Sequence, residues 1–393
     1  MKPLRGMTVL DLSKVIAGPL CGQWLGDLGA EVIKVEPVER GDETRGWPPH
    51  RDGESSSFLS LNRNKRSVAV DLKTAEGRGI VHRLAAKADV VLQGFGSGTA
   101  ARLGVDYPTL AALRPDLVYC EISGFGRTGP LGDRPGYDVM VQAFSGLIST
   151  MGEEGGGVVR ASFSPVDQAT AMHALAGVLA GLLERARTEK GCLVEASLMD
   201  SAFGLLGYMA SNFWQAGVRP RRMGSAHPLL CPYQAFAAAD GHLMLAVGND
   251  AQWRRFCHVA DLPLADDPRF RTNPDRVANF AATVAAVQNI LSARTAADWV
   301  SVLTSAGVPV SVINSLEDAL EHPQLAARDL IVEDDHPTLG PIKNIGYPVM
   351  FNGERSRSSR PPPTQGQHTA EILSEYGYNQ NDIEALRKRS VIL

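Results

Sequence analysis

Strand and helix signals alternate from Met7 to Phe125, and this alternation restricts the possible folds more than any other feature of the chain. Strand patterns cover Met7–Leu12, Glu31–Glu36, Ser67–Asp71, Asp89–Leu92 and Leu117–Ser123. Helix patterns cover Leu20–Leu28, which Gly29 stops, and Ala75–Ala86. Strands separated by single helices make βαβ units and so a parallel sheet. Ligands of such sheets bind at the carboxyl ends of the strands. Here those ends lead into the expected turns Ala17-Gly-Pro19, Glu36-Pro37, Gln93-Gly-Phe95 and Ser123-Gly-Phe125.

A helical section is expected from Asp138 to Ala216. Gly241–Val247 then opens a different unit, with helices at Trp253–Val259, Val277–Leu291 and Ala296–Ser305 and a strand at Val308–Ile313. Short strands return after Ala326. At 393 residues the chain exceeds one ordinary core. With 44% hydrophobic and 21% charged residues it reads as globular. A net charge of −4 gives no basic field for nucleic acid. Five cysteines without a CxxC pair, and histidines without HxxxH or HExxH spacing, argue against disulfides and metal and fit a reducing cytoplasm. The N-terminus has no secretory pattern, and no run of 18 apolar residues is evident, so no membrane is expected.

Several local motifs have two readings. Gly152–Gly157 lacks the Lys-Ser/Thr of a phosphate loop and reads as a flexible loop. Asn62-Arg-Asn-Lys-Arg66 with Lys73 reads as solvated surface charge or as an anion site. Cys21 reads as a buried small hydrophobe or a reactive thiol. Asp167 precedes an apolar repeat at Met172, Leu175, Ala176, Leu179, Leu182 and Leu183. There it could cap the helix, kept ionised by the helix dipole, or serve as a nucleophile. Caps are the commoner case.

In order, Val9-Leu-Asp-Leu-Ser13 with Ala17-Gly-Pro19, Leu28–Glu36 with Gly41-Asp42 and Arg45, Asn62–Ser67 with Asp71-Leu-Lys73, Gly94-Phe95 with Arg102-Leu-Gly104, Gly124–Gly126, Pro135-Gly-Tyr-Asp138, Asp167, Arg187–Gly191 and Val194–Asp200 resemble the class III CoA-transferases, the formyl-CoA transferase and carnitine CoA-transferase group. The resemblance runs from Leu4 to about Leu386. It implies an α/β fold: a Rossmann-like parallel-sheet large domain plus a smaller α+β domain, in an interlocked homodimer. The large domain would be discontinuous, 1–215 and 327–393, with a linker at 216–224 and the small domain at 225–326.

The same resemblance makes Asp167 the nucleophile. Its carboxylate would attack an acyl-CoA, passing through an aspartyl anhydride and an aspartyl-CoA thioester before CoA moves to an acceptor acid. Coenzyme A would enter as acyl-CoA substrate, with no metal. Val15, Arg45, Lys73, Phe95 and Arg102 would contact CoA, and Ile16 and Tyr137 would line the substrate pocket. Ile16 and Lys14 stand where some formyl-CoA transferases have glutamine and histidine, and Gly94 replaces a frequent asparagine, which argues against oxalate or formate. A succinyl-CoA donor and a dicarboxylate acceptor are expected instead, with Lys14, Arg45 or Arg160 holding the second carboxylate. Two rival readings are an α-methylacyl-CoA racemase, whose Gly-His-Asp is here Gly136-Tyr137-Asp138, and an inactive CoA-binding protein.

Overall fold

The computed structural model describes residues 1–356 and 360–393. They form two compact units: Met1–Leu147 with Ala161–Ser211 and Pro323–Leu393, and Ile148–Arg160 with Asn212–His322. The segment 148–160 therefore groups with the second unit, although the sequence division put it in the large domain.

In the first unit the main elements are β1 (Thr8–Leu12), α1 (Ala17–Asp27), β2 (Glu31–Glu36), β3 (Lys65–Ala69), α2 (Ala75–Ala85), β4 (Val90–Gln93), α3 (Thr99–Arg102), β5 (Val118–Ser123), α4 (Asp138–Phe144), α5 (Pro165–Thr188), β6 (Cys192–Ser197) and α6 (Leu198–Leu205). The six strands lie in the order β3-β2-β1-β4-β5-β6, all parallel. Strand order reverses beside β1, whose Val9 pairs with Val32 on one side and Val90 on the other. The loops after β1 and β4 therefore diverge to opposite faces and leave a crevice between them.

Both faces are covered. Val9, Val32, Val90 and Val118 pack with α1 and α5 residues such as Leu20, Leu25, Val166, Ala174 and Val178. Leu10, Ile33, Val68, Val91 and Tyr119 pack with Ile80 and Leu84 of α2 and with Ile372, Ile383 and Leu386 from the chain end. Alternate strand residues thus serve opposite cores, as a doubly covered sheet requires.

The sequence reading missed β6, because it lies between two apolar helices and was absorbed into one helical section. Ala17-Gly-Pro19 is the first turn of α1 rather than a turn before it. Gly18 is obligatory there: a Cβ would lie 2.2 Å from Ser13 Cβ.

Neither reading of the Asn62–Arg66 run stands. All five residues are buried. Lys65 Nζ donates to Asp11 Oδ2 (2.8 Å), Pro19 O (2.7 Å) and Asn62 Oδ1 (2.9 Å). Arg63 pairs with Asp27 through Nε and Nη2 (2.9 and 2.6 Å). The run is an internal lattice of ion pairs holding β3 and α1 together. Burial pushes Lys65 down to about 8, against the pull of Asp11.

The α5 helix is long and apolar enough to span a membrane by length and composition, which corrects the expectation that no segment is. It packs against α1, β5, β6 and α6.

In the second unit, β7 (Tyr233–Ala237), β8 (His242–Ala246) and β9 (Val310–Val312) form an antiparallel sheet in the order β9-β8-β7. Its core is Leu243, Leu245, Trp253, Phe256, Val287, Leu291 and Trp299. The expected helix Val277–Leu291 is two, Asn273–Ala278 and Phe280–Leu291, broken at Asn279. The Gly152–Gly157 loop is fastened within this unit, since Arg222 donates to Gly156 O (3.0 Å) and Gly157 O (3.1 Å).

Candidate active site

Asp167 is the third residue of α5, after Pro165 and Val166, so of its two local readings the helix cap does not hold. The Ser164 side chain makes no capping bond. The cap comes from another helix: Asp138 Oδ2 accepts the N–H groups of Val166 (2.8 Å) and Asp167 (3.0 Å). Asp138 opens α4 and Gln142, one turn on, donates to its other oxygen.

With the first-turn donors taken by Asp138, the Asp167 carboxylate accepts no hydrogen bond among the described residues. It is 8% exposed. Burial pushes its pKa up to about 7, and the Asp138 charge adds to the rise. The expectation that the helix dipole keeps it ionised is therefore corrected. A helix terminus favours an anion by about 0.3–1 kcal/mol, less than burying a charged group without partners costs.

Two cavities lie at the carboxyl ends of the strands. One, of ≈ 430 Å³, holds Asp167. Val15, Ile16, Ala17, Phe95 and Tyr137 are on its wall. The other, of ≈ 470 Å³, runs past Glu36–Glu39 and Asp71–Lys73 to Arg389 and Ser390. Ser13, Lys14 and Phe95 line both, so the cavities meet at the β1/β4 switch point.

The loop between β1 and α1 forms this junction and is clamped from below. Asp11 Oδ1 accepts Ser13 N–H (3.0 Å), Lys34 Nζ donates to Ser13 O (3.0 Å), and Asp42 Oδ1 accepts Val15 N–H (3.3 Å). Asp42 also holds Lys34 at 2.8 Å. Val15 sits at φ +71°, a strained conformation for a β-branched residue. The clamp keeps it there, and α1 starts directly after it with Ala17 and Gly18 on the cavity wall. No side chain caps that end.

The sequence-expected residues divide. Val15, Ile16, Phe95, Tyr137 and Asp167 come together in one cavity, and Lys73 lies in the adjoining one. Arg45 does not reach either. Its guanidinium is locked by Glu36 (2.7 and 2.8 Å) and Pro363 O (3.0 Å) and lies over the Phe58 ring. Arg102 is exposed on α3, donates to Thr99 Oγ1 (3.3 Å), and lines neither cavity. Arg160 belongs to the second unit. Sequence reasoning missed Asp138 as a cap, and Arg389 with Ser390, which only the fold brings to β1–β3. Cys21 is fully buried, with its thiol pushed well up by burial, and is not a reactive group. No group of three metal-ligating side chains occurs among the described residues.

The chain as a whole has known counterparts. The profile of CoA-transferase family III matches residues 4–369. A succinyl-CoA:glutarate CoA-transferase of Mus musculus is 41% identical over 399 residues, covering 100% of this chain and 91% of that one. A succinate–glutarate CoA-transferase of Agrobacterium fabrum is 39% identical, with 95% of each covered. The crystal structure of a CAIB/BAIF family protein from Brucella suis superposes with a TM-score of 0.85 at 37% identity, covering 95% of this chain and 99% of that one. The chain belongs to CoA-transferase family III. It is a class III CoA-transferase, and CoA is its substrate.

Proposed function

We propose that the enzyme moves CoA from succinyl-CoA to a dicarboxylic acid, with Asp167 as covalent nucleophile. The observation that carries the reading is the Asp167 carboxyl: buried, without a hydrogen-bond partner among the described residues, and on the wall of a cavity that meets a second one of ≈ 470 Å³. Two relatives named for succinate and glutarate support the choice of substrates.

In this account the ionised Asp167 oxygen attacks the thioester carbonyl, the C–S bond breaks, and CoA leaves as thiolate with a mixed anhydride behind. The thiolate attacks the aspartyl carbonyl and releases succinate, leaving an aspartyl-CoA thioester. The acceptor carboxylate attacks that carbonyl, re-expelling the thiolate and forming a second anhydride. Thiolate attack on its acceptor-derived carbonyl yields the new acyl-CoA and restores Asp167. No net proton is consumed. A raised pKa makes the carboxylate a stronger base and so a better nucleophile, with about half ionised near pH 7. The uncapped start of α1 supplies N–H donors for the oxyanions that develop beside it.

Adenosine and phosphates would lie along Lys73, Phe95 and Arg389, the pantetheine arm over Ser13–Val15, and the acyl group near Ile16 and Tyr137. The helices α4, α5 and α6 pack together and leave Phe144, Met172, Leu183, Phe203 and Leu205 46–68% exposed. Such an apolar surface supports a second copy of the chain as partner. The test is exchange from succinyl-CoA to a panel of mono- and dicarboxylic acids. Preferential acyl-CoA formation with dicarboxylates is expected, and exchange confined to monocarboxylates overturns the reading.

A further inference from the structure

Three cations line the cavity that holds Asp167, and two of them are already neutralised. Lys14 pairs with Glu43. Arg127 pairs with Glu121 and also donates to Phe95 O (2.6 Å). The third, Arg134, makes no ion pair and no side-chain hydrogen bond among the described residues. Its guanidinium only faces the Phe125 ring, 5.6 Å from the centroid. The other acid on the wall, Asp133, accepts from Ser97 across the mouth.

Arg134 is also well placed by its backbone. It lies in the loop from Gly124 to Tyr137, whose two ends touch: a Cβ on Gly124 would lie 2.6 Å from Gly136 N, and one on Gly136 would lie 2.9 Å from Gly124 Cα. Its own N–H donates to Leu131 O (2.9 Å) and Gly132 N–H to Gly129 O (3.2 Å). Four residues on, Asp138 holds the start of α5 and with it Asp167. One short segment therefore carries both an unpaired guanidinium and the anchor of the nucleophile.

We infer that Arg134 is the specificity-determining residue for the second carboxylate, the one that does not react, on the succinyl donor and on the dicarboxylate acceptor alike. This rests on the proposed function. Of the cations weighed from sequence, Lys14 is paired, Arg45 is locked beneath β2, and Arg160 is not on this wall. A guanidinium offers two parallel N–H groups to a carboxylate, and a monocarboxylic acid of the same length would leave them unanswered.

The test compares glutarate with its monoamide, nearly the same shape but with one end uncharged, both with succinyl-CoA as donor. Any effect on the donor cancels in the ratio of the two kcat/KM values. The unaltered enzyme is expected to prefer glutarate. In Arg134→Gln the preference should shrink by about 10- to 100-fold, the worth of one charged hydrogen-bonded contact. Arg134→Lys, which keeps charge without the fork, should retain part of it and serves if the glutamine variant fails to fold. CoA affinity should stay unchanged. A preference that survives Arg134→Gln overturns the inference, as does a loss of CoA affinity with the ratio intact, which would assign the group to a phosphate. An unaltered enzyme that does not distinguish the two acceptors overturns the dicarboxylate reading itself.

Discussion

Asp138 caps the helix that carries Asp167: one carboxylate oxygen takes the N–H groups of Val166 and Asp167, at 2.8 and 3.0 Å. The same contact fixes Asp167, the proposed nucleophile, in place and sets a negative charge beside it. In the proposed mechanism one residue that need not touch the substrate would thus set both the position and the acidity of the Asp167 carboxyl.

If the Asp138 charge helps hold the Asp167 proton, removing that charge while keeping an acceptor oxygen should make Asp167 more acidic. The kcat/KM of the unaltered enzyme should rise with pH through about 7 as Asp167 ionises. In Asp138→Asn that limb should move to lower pH. An unmoved limb would separate the cap from the titration. Asp138→Ala loses the cap as well and should cost about 0.5–2 kcal/mol in denaturant unfolding.

Asp167 also ties stability to pH. Its folded pKa of about 7 exceeds the ordinary 3.8, so between those values the folded chain holds a proton the unfolded chain has lost. Stability of the unaltered protein should fall as pH rises across that window and level off above it, by up to about 4 kcal/mol. Asp167→Asn lacks this slope and should be the more stable protein above pH 7. Urea midpoints at pH 4.5, 6 and 8 check it, and parallel curves for the two proteins would contradict it.

Lys65→Met tests the buried lattice under β3. It leaves Asp11 fully enclosed without the cation that hydrogen-bonds to it. Removing one partner of such a pair costs about 3–5 kcal/mol. A change below 1 kcal/mol in equilibrium unfolding would return the Asn62–Arg66 run to the status of surface charge.

Gly18→Ala places a methyl against Ser13 Cβ and Oγ, at 2.2 and 2.4 Å before relaxation. Overpacking of this kind costs about 1–3 kcal/mol. Because Ser13 lines both cavities, kcat/KM should fall further than stability alone explains, readable well below the unfolding temperature.

Much of this was legible in the sequence because it is local. The alternation in β1 to β5 follows from apolar runs punctuated by glycine, and Asp167 stands out before a repeat of three and four residues. What the sequence hid depends on distant partners. Asp138 and Asp167 are 29 residues apart, and Lys65 and Asp11 are 54 apart. A run such as Asn62–Arg66 reads as surface until its carboxylates are known. Arg45 read as a ligand contact for the same reason, since nothing near it in sequence announces Glu36 as its partner. Arg389 reaches the β1–β3 cavity only because the chain end returns to pack beside β3, where Ile392 bridges to Val70.

The most direct test is to trap the acylated enzyme. Incubation with succinyl-CoA, quenching with hydroxylamine or borohydride, and peptide mass spectrometry should place the modification on Asp167, with none in Asp167→Asn and with CoA still bound by that variant. A label on another residue, or undiminished exchange by Asp167→Asn, would contradict the account.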